Sequence, residues 1–566
     1  MRRFLKYTFQ GLVIVGAGLF TACSLLYDLS ADQCEIDADC AAIGLTGRRC
    51  VAGVCTATNA PTGGSGGGGG SSGSGGCTSN KDCLGEETII DPSVCIEGAC
   101  VDLTTDECPV VVPLDPKALR ENLITGSPIV FGAFAPLGSD QTGVELLNYD
   151  LAFTEFKSTV NGLPAVGAGG RRPLVGVVCE AMTEGDIGVI DRGMEHLVDA
   201  LRVPGIIGGL YPEELQHAFD TKGLEAGVFI VSPGESERQL VATDDDGLMW
   251  HLLPGGGEIA ASYPAVLDRV IEHLETTSAI DSSEPVRVAL VTADIRFLNQ
   301  VREVIQDSLR FNGDKSPSEN EDDGNWLSMI IPPGASDLGD ETQELVDFRP
   351  HVIIGNAFVE FLAEMMPGIE ALWPDEEGEQ ARPFYVLSPF QYNQPGLSYV
   401  LGLEPTIRRR MIGMNAPAAE DSTLYDEYLT EFKVKYRDVM NPEGFENYYD
   451  AAYFLIYAAA AADRVPGPLT GAHLAQGMLR LLDGPTDVGV GAKRISGTLI
   501  AISRSDPPDV RLHGTLGPPD FTPSGARKSA GSVWCIDSTG QIRSDVLRYD
   551  AESDELYGDF PCFSDF

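Results

Sequence analysis

Short apolar runs alternate with stretches of helical periodicity from about residue 127 onward. The apolar runs are typical of buried strands: "PIVFGAFAP" (128–136), "PLVGVVC" (173–179), "PGIIGG" (204–209) and "VFIVSP" (228–233). Helical periodicity covers residues 143–160, 186–201 and 211–219 between them. Strands that are apolar throughout and alternate with helices are buried on both faces. The pattern therefore predicts a parallel sheet with helices on each side.

The same rhythm restarts after "LMWHLLP" (248–254). The second set of predicted strands is "VRVALVT" (286–292), "LSMIIPP" (327–333), "HVIIG" (351–355) and "PFYVLS" (383–388). Two α/β units of this size predict two lobes with a cleft between them. Because open parallel sheets bind ligands beyond the carboxyl ends of their strands, the loops after these strands are the candidate binding region.

The amino terminus has the pattern of an export signal. Arg2, Arg3 and Lys6 precede an uncharged apolar run at 11–22, which is too short to span a bilayer. Residues 1–22 are therefore predicted to be a signal peptide. An ordinary secretory signal is one interpretation. "FTAC" (20–23) also resembles the lipobox of bacterial lipoproteins, and this resemblance implies that the Cys23 thiol carries a lipid.

The chain has 13 cysteines, and eight of them form two copies of one spacing pattern. The copies are Cys34-x5-Cys40-x9-Cys50-x4-Cys55 and Cys77-x5-Cys83-x11-Cys95-x4-Cys100. Modules this small need covalent cross-links in place of a core. We predict disulfide-rich modules at 23–60 and 77–108, joined by a Gly/Ser-rich linker at 61–76.

Four cysteines allow three pairings, and the sequence leaves the choice open in each module. Neither module contains a histidine or a C-x2-C pair, so no metal site is expected there. Outside the two copies of the spacing pattern, Cys535 is expected to pair with Cys562, and Cys108 with Cys179.

Charge and composition narrow the possible partners. The formal net charge is −45, which argues against nucleic acid and anionic membrane surfaces as partners. A hydrophobic content of 43% permits a large folded core. The seven histidines are scattered, and we find no nucleophile–base arrangement. Neither catalysis nor a cofactor is therefore expected.

Several stretches resemble, in order and spacing, the type I periplasmic binding proteins of the Leu/Ile/Val (branched-chain amino-acid) receptor family. They are "FGAFAPLGS", "IIGGLYPEELQHA", "FIVSPGESERQL", "VALVTADIRF", "VIIGN" and "FENYYDAAYFLIYAAAAA", within residues 127–540. The resemblance implies a two-lobed α/β fold whose lobes are joined by three crossing strands. The first lobe would comprise about 125–253 and 389–485, and the second about 254–388 and 486–566.

The resemblance also implies a solute site, position by position. Pro212 stands where the family has a serine hydroxyl, and Phe390 stands where it has a carboxylate that pairs with the ligand ammonium. We therefore expect a solute that is less charged or more aromatic than leucine. The implied ligand-binding positions are Gln141, Tyr211, Gly234, Ser236, Phe297, Asn356, Ala357 and Phe390.

The function implied is an extracytoplasmic, lipid-anchored receptor that passes a small molecule related to amino acids to an ABC-type permease. It would lie in the cell envelope, on the periplasmic or outer-membrane face. An alternative is an envelope interaction or sensor lipoprotein, whose Cys-rich modules bind a partner and whose binding domain is divergent. An adjacent pair of permease and ATPase genes would favour the first function over the second.

Replacing the anchoring thiol tests the lipobox interpretation. We expect Cys23→Ser to release the protein from membranes, because several acyl chains on one residue contribute about 0.8 kcal/mol for each buried CH₂ group. The measurement is fractionation after detergent-free washing, with Ser24→Ala as the matched control. A Cys23→Ser protein that still sediments with membranes would show the interpretation to be wrong.

Overall fold

The computed structural model describes most of the chain after residue 76. The described residues are 48–51, 54–57, 76–84, 92–125, 127–137, 143–165, 170–181, 186–235, 245–281, 283–374, 381–391, 394–415, 422–437, 442, 444–462, 468–504, 509–528, 532–550, 555–558 and 562. The predicted signal peptide, Cys23, Cys34 and Cys40 lie outside them. The chain divides into two compact units, Met1–Gly75 and Gly76–Phe566.

Each Cys-rich module contains a short antiparallel hairpin. In the first unit, β1 (Arg48–Val51) pairs with β2 (Val54–Ala57), and Cys50 lies opposite Cys55. In the second unit, β3 (Ser93–Ile96) pairs with β4 (Ala99–Asp102), and Cys95 lies opposite Cys100. The third and fourth cysteines of both copies are therefore cross-strand neighbours, which supports the duplication inferred from their spacing.

Disulfides of the second module pair the first cysteine with the third and the second with the fourth. These bonds are Cys77–Cys95 and Cys83–Cys100. The first ties the segment before the 3₁₀ turn Asn80–Cys83 to β3, and the second ties the turn itself to β4. Although Cys95 and Cys100 are neighbours in the hairpin, each is bonded to an upstream cysteine.

The second module packs on the first lobe and shares its core. Leu103 is fully buried and belongs to the same hydrophobic cluster as the strands of the first sheet. The Asn80 side-chain amide donates to the Leu123 carbonyl (3.3 Å), and His196 Nε2 lies 3.1 Å from the Leu103 carbonyl oxygen. The module is thus part of the unit that begins at Gly76.

The first lobe is built on a six-stranded sheet. The first part of the chain that forms this lobe contains eight strands among the described residues: β5 (Val110–Val112), β6 (Ile129–Pro136), β7 (Leu163–Pro164), β8 (Arg171–Arg172), β9 (Leu174–Ala181), β10 (Gly205–Ile207), β11 (Phe229–Glu235) and β12 (Met249–Leu253). The order β12-β11-β10-β6-β9-β5 is parallel except for β5, and β7 and β8 form a separate hairpin. The Cys108–Cys179 disulfide joins the segment before β5 to β9.

Helices cover this first sheet. They are α1 (Pro116–Ile124), α2 (Gly143–Val160), α3 (Ile187–Met194), α4 (Pro212–Ala218) and α5 (Leu224–Ala226).

The start of α1 shows how the sequence determines where a helix begins. The Asp115 carboxylate accepts the backbone N–H groups of Lys117 and Ala118, and Pro116 occupies the first turn, where no N–H partner is needed.

The second lobe repeats the arrangement. Its helices are α6 (Gly256–Ala260), α7 (Tyr263–Thr276), α8 (Arg296–Ser308), α9 (Pro317–Asp322), α10 (Gly339–Phe348), α11 (Met366–Leu372), α12 (Gln394–Gly402) and α13 (Pro405–Arg408). Its first strands are β13 (Val288–Ala293), β14 (Trp326–Ile331), β15 (Val352–Asn356), β16 (Phe384–Leu387) and β17 (Met411–Asn415). These five strands pair in parallel in the order β14-β13-β15-β16-β17.

The chain then returns to the first lobe before it completes the second. The returning elements are α14 (Ser422–Lys435), α15 (Glu446–Ala461), α16 (Gly471–Leu479), β18 (Asp487–Gly489), α17 (Ile495–Arg504) and β19 (Arg511–His513). Finally β20 (Ser532–Ile536), β21 (Ile542–Asp550) and β22 (Glu555–Gly558) extend the second sheet by antiparallel pairing. The expected Cys535–Cys562 disulfide closes this last segment.

Two buried sheets confirm the predicted α/β class with two parallel, helix-covered lobes. The lobe boundaries differ from those expected. Residues 389–415 stay with the second lobe, because β17 pairs with β16. Residues up to Leu516 stay with the first lobe, because Leu512 and Leu516 are buried in its core. The expected lobe boundaries were therefore wrong, because an apolar run in the sequence does not reveal which of the two sheets the strand joins.

A buried carboxylate lies between α2 and α15. Glu155 is 5% exposed, and the hydroxyls of Tyr449 (2.6 Å) and Tyr453 donate to its Oε2 atom. Burial raises the pKa of Glu155 to about 7, against the two tyrosine hydrogen bonds, which lower it. Since the carboxyl titrates near 4.5 when unfolded, the folded protein binds the extra proton between about pH 4.5 and 7.

The first module should have the same disulfide pairing as the second. We expect Cys34–Cys50 and Cys40–Cys55, because Cys50 and Cys55 stand in the same cross-strand register as Cys95 and Cys100. Peptide mapping under non-reducing conditions tests this pairing. The Cys77–Cys95 and Cys83–Cys100 peptides serve as the internal control. A Cys50–Cys55 bond would contradict it.

Stability should fall as pH rises from about 5 to 8 through ionisation of Glu155, because the unfolded chain releases this proton earlier. Glu155→Gln removes that contribution. We expect its unfolding free energy relative to wild type to rise by on the order of 2–3 kcal/mol over this range. Denaturant unfolding at about pH 5 and pH 8 measures this difference in unfolding free energy. Glu121→Gln is the control, because Glu121 is exposed and ion-paired. Parallel pH curves for Glu155→Gln and wild type would refute the prediction.

Candidate functional site: a cleft between the two sheets

Loops at the carboxyl ends of both sheets meet across a cleft. In the first lobe β10 leads into α4, and in the second lobe β13 leads into α8. The guanidinium of Arg296 at the start of α8 lies 3.8 Å from the carboxylate of Glu213 at the start of α4. This ion pair spans the two lobes, so the regions beyond the strand ends face each other.

Three phenylalanines form an aromatic cluster on the second-lobe side of the cleft. The rings of Phe297 and Phe390 are 5.3 Å apart, and those of Phe358 and Phe390 are 5.8 Å apart, both in edge-to-face geometry. Phe297 follows β13, Phe358 follows β15 and Phe390 follows β16. Two of the predicted positions, Phe297 and Phe390, are therefore in contact, and Phe358 was missed by the sequence analysis.

Asn356 and Ala357 lie beneath this cluster and are fully buried. The Asn356 side-chain amide donates to the Leu298 carbonyl (2.9 Å), and the Ala357 carbonyl accepts the Ser388 hydroxyl (3.0 Å). These bonds join the loops after β13, β15 and β16. Both residues thus hold the second-lobe loops together, and their contact with a ligand stays a prediction.

Gln391 is a further positioning residue that the sequence did not reveal. Its side-chain oxygen accepts the Ser388 N–H (3.0 Å), and its side-chain nitrogen donates to the Phe358 carbonyl (3.1 Å). It therefore connects the loop that carries Phe390 to the one that carries Phe358. A single glutamine in a loop has no distinctive pattern, so only the fold identifies this role.

Tyr211 and Gly234 lie on the first-lobe side. Tyr211 is 51% exposed and directly precedes Pro212, the first residue of α4. The Gly234 N–H donates to the Ser232 hydroxyl (3.1 Å), so the loop itself already uses this group. Gln141 and Ser236 lie outside the described residues.

A carboxylate and two further tyrosines were not predicted at this end of the cleft. Glu145 and Tyr149 are one turn apart on α2, and the Tyr149 hydroxyl donates to the Phe134 carbonyl in β6 (3.0 Å). The ring of Tyr149 lies 5.9 Å from the ring of Tyr448, near the start of α15. The first turns of α2 and α15 therefore converge beside the carboxyl end of β6.

Glu145 itself is 6% exposed, and its Oε2 atom has no hydrogen-bond partner among the described residues. Burial raises the pKa of Glu145, while its own backbone N–H lowers it. Burial, followed by the charges of Glu214 and Glu145, raises the pKa of Tyr211. The sequence contains no distinctive signal for Glu145 and Tyr149, because the same helix also buries Asn148, Asp150 and Glu155.

The described cleft side chains offer aromatic surface and one buried carboxylate, which suits binding of an organic molecule. Among the described residues, the one group of potential metal ligands is formed by the sulfur atoms of Cys77, Cys83 and Cys100, which lie within 4.8 Å of one another. All three are disulfide-bonded, so they are not available as thiolate ligands.

A surface cavity formed by described residues lies away from this cleft. It measures about 810 Å³ and is lined by Val286 and Asn325, which precede β13 and β14. It therefore lies at the amino ends of the second-sheet strands, whereas ligands of open parallel sheets bind at the carboxyl ends. For this reason we place the candidate site in the cleft.

No model of a protein family matches the chain, and no curated protein matches it. Among solved structures, the chain is similar to the branched-chain amino-acid transporter substrate-binding protein LivJ from Streptococcus pneumoniae in complex with isoleucine. The identity is 10%, the TM-score is 0.49, and the match covers 75% of this chain and 99% of that one.

Two further structures show a comparable likeness. The leucine-binding protein LivK from Thermotoga maritima has 12% identity and a TM-score of 0.48, covering 75% of this chain and 99% of that one. A solute-binding protein from R. palustris in complex with benzoate has 8% identity and a TM-score of 0.47, covering 77% and 99%. The fold of this chain is assigned from the strand order and connections described above.

Within the part of the chain that the structure describes, no helix combines the length and the apolar character needed to cross a membrane.

Proposed function

We propose that residues 76–566 form a receptor that binds a small organic solute between its two lobes. The observation that carries this proposal is the Arg296–Glu213 ion pair, which joins the carboxyl-end loops of the two sheets across the cleft. The aromatic cluster of Phe297, Phe358 and Phe390 supplies apolar contact surface on one side. Tyr211 supplies an exposed aromatic side chain on the other.

The connections between the lobes suit opening and closing. The chain passes between the two cores after Leu253, after Asn415 and before Ser532. Two of these passages lie side by side, because the His251 N–H donates to the Gly525 carbonyl (2.9 Å). Closure of two rigid lobes about a few connecting segments is a common way to enclose a ligand and exclude water.

More specifically, we propose that the protein is a lipid-anchored receptor that serves an ABC-type importer. This proposal rests on the lipobox-like "FTAC" and on the resemblance of the sequence to the Leu/Ile/Val receptor family. Co-purification of a permease with the membrane-bound protein would support it. The alternative, an envelope interaction protein, is favoured by one observation: the second module is held on the first lobe by the Glu97–Arg202 ion pair (Nη2 to Oε2, 3.0 Å) and exposes β4.

A solute screen tests the receptor proposal. We expect at least one small organic solute to raise the unfolding temperature of the full chain, because binding to the native state alone stabilises it. Arg296→Ala should weaken that binding by about threefold to tenfold through loss of the bridging pair. Arg269→Ala, which removes a surface ion pair within α7 and a hydrogen bond to the Gly558 carbonyl, is the matched control. A chemically diverse library without a single stabilising solute would overturn the proposal.

Leucine, isoleucine and valine should bind weakly. Pro212 has neither a hydroxyl nor an N–H, the Gly234 N–H is used by Ser232, and Phe390 carries no charge. A missing charged partner in a closed cleft costs roughly 2–5 kcal/mol, so we expect dissociation constants above about 1 mM. Titration calorimetry with each amino acid measures this. Micromolar leucine binding would show that other residues hold the amino-acid head group.

A further inference from the structure

Glu145 is a buried carboxylate at the cleft, and one of its oxygen atoms has no hydrogen-bond partner among the described residues. It lies in the first turn of α2, one turn nearer the helix start than Tyr149. The Tyr149 hydroxyl reaches the Phe134 carbonyl near the end of β6, so Glu145 lies beyond Tyr149 toward the carboxyl end of the sheet. This is the end of the sheet that forms the cleft.

Among the described residues, only the backbone N–H of Glu145 itself favours the charged form of its carboxylate. Glu145 is 6% exposed, and Oε2 has no hydrogen-bond partner among the described residues. No ion pair to Glu145 is found in the part of the chain that the structure describes. An isolated buried carboxylate is costly unless a cation or a proton neutralises it.

The side chains around Glu145 suit a cation better than a neutral or anionic group. The ring of Tyr149 packs against that of Tyr448 at 5.9 Å, and Tyr211 is close enough for the Glu145 charge to affect its hydroxyl. Aromatic faces attract ammonium groups by cation–π interaction. A net charge of −45 also raises the local concentration of cations.

Glu155 provides an instructive contrast on the same helix. It is as deeply buried as Glu145, but two tyrosine hydroxyls donate to its Oε2 atom, while its Oε1 atom has no hydrogen-bond partner among the described residues. It lies about 15 Å further along α2, at 1.5 Å per residue. The carboxylate in the core thus receives two side-chain donors, whereas the one at the cleft receives none from the described residues.

We propose that Glu145 is the cation-binding group of the cleft and that the solute is an organic ammonium ion without a carboxylate. Its apolar body would pack against the aromatic cluster of Phe297, Phe358 and Phe390. A carboxylate on the solute is disfavoured, because Pro212 offers no donor and the Gly234 N–H is already engaged. This inference rests on the proposed receptor function and specifies its class of substrate.

The test uses the full chain and compounds that carry a cationic, neutral, anionic or zwitterionic group on a similar aromatic skeleton. Phenethylamine is compared with 2-phenylethanol, phenylacetate and phenylalanine, and a wider panel pairs other primary and quaternary amines with the alcohol and carboxylate of the same skeleton. Calorimetry gives the affinities. We expect amines to bind about tenfold or more tightly than their matched alcohols and carboxylates.

Two variants locate the effect. Glu145→Gln should weaken amine binding by about tenfold or more, whereas Glu155→Gln should leave it within about twofold of wild type. Glu145→Gln should also fold, because it removes a buried charge that receives no donor from a described side chain, and thermal unfolding checks this. Unchanged amine binding in Glu145→Gln would overturn the inference, as would alcohols that bind as tightly as amines.

The outcomes separate this inference from the receptor proposal. If neutral or anionic compounds bind and amines do not, the cation assignment fails and the receptor function stands. If no compound of the panel binds but the chemically diverse library yields a stabilising solute, this inference alone fails, and if neither yields a ligand, both proposals fail.

Discussion

The first lobe depends on a helix that the chain supplies only after it has built most of the second lobe. Of the 16 residues of α15, 13 are buried. It packs on α2 through Tyr449 and Tyr453, and on α16 so closely that a Cβ at Gly477 would lie 2.0 Å from the Ala458 carbonyl oxygen. Because this helix completes the core, the first lobe cannot be formed from the first half of the chain alone.

The same helix connects the core to the segments that join the lobes. The buried Asp450 carboxylate accepts the N–H groups of Thr515 (2.9 Å) and Leu516 (3.1 Å). Arg527 in turn donates to the Leu516 carbonyl (2.8 Å), and the neighbouring Gly525 pairs with His251 in β12. The start of α15 also carries an aromatic ring that packs on α2 in the cleft. Core packing, the connecting segments and the binding surface therefore depend on one element.

Much of the fold could be predicted because burial leaves a periodic pattern. The strands β6, β9, β13 and β15 coincide with apolar runs, since a parallel strand is apolar on both faces. The candidate site was less predictable. Phe297 and Phe390, predicted separately, are in ring contact, and Asn356 and Ala357 are fully buried, whereas Glu145 and Gln391 gave no recognisable signal. The local pattern of apolar residues indicates which segments are buried, whereas a binding site is formed by loops that are distant in sequence.

The sequence by itself determined the α/β class and the duplicated cysteine spacing, because periodicity and spacing are local properties of the chain. It also led us to expect the Cys535–Cys562 bond, as the nearest pair outside the repeats, and Cys108–Cys179 as the pair that remained. Only the tertiary structure decided which sheet β17 joins, that the second module shares the core of the first lobe, and that Glu145 is buried at the cleft without a partner among the described residues. Each of these depends on contacts between segments far apart in the chain, and the free energy of such contacts is set by the packed structure rather than by neighbouring residues.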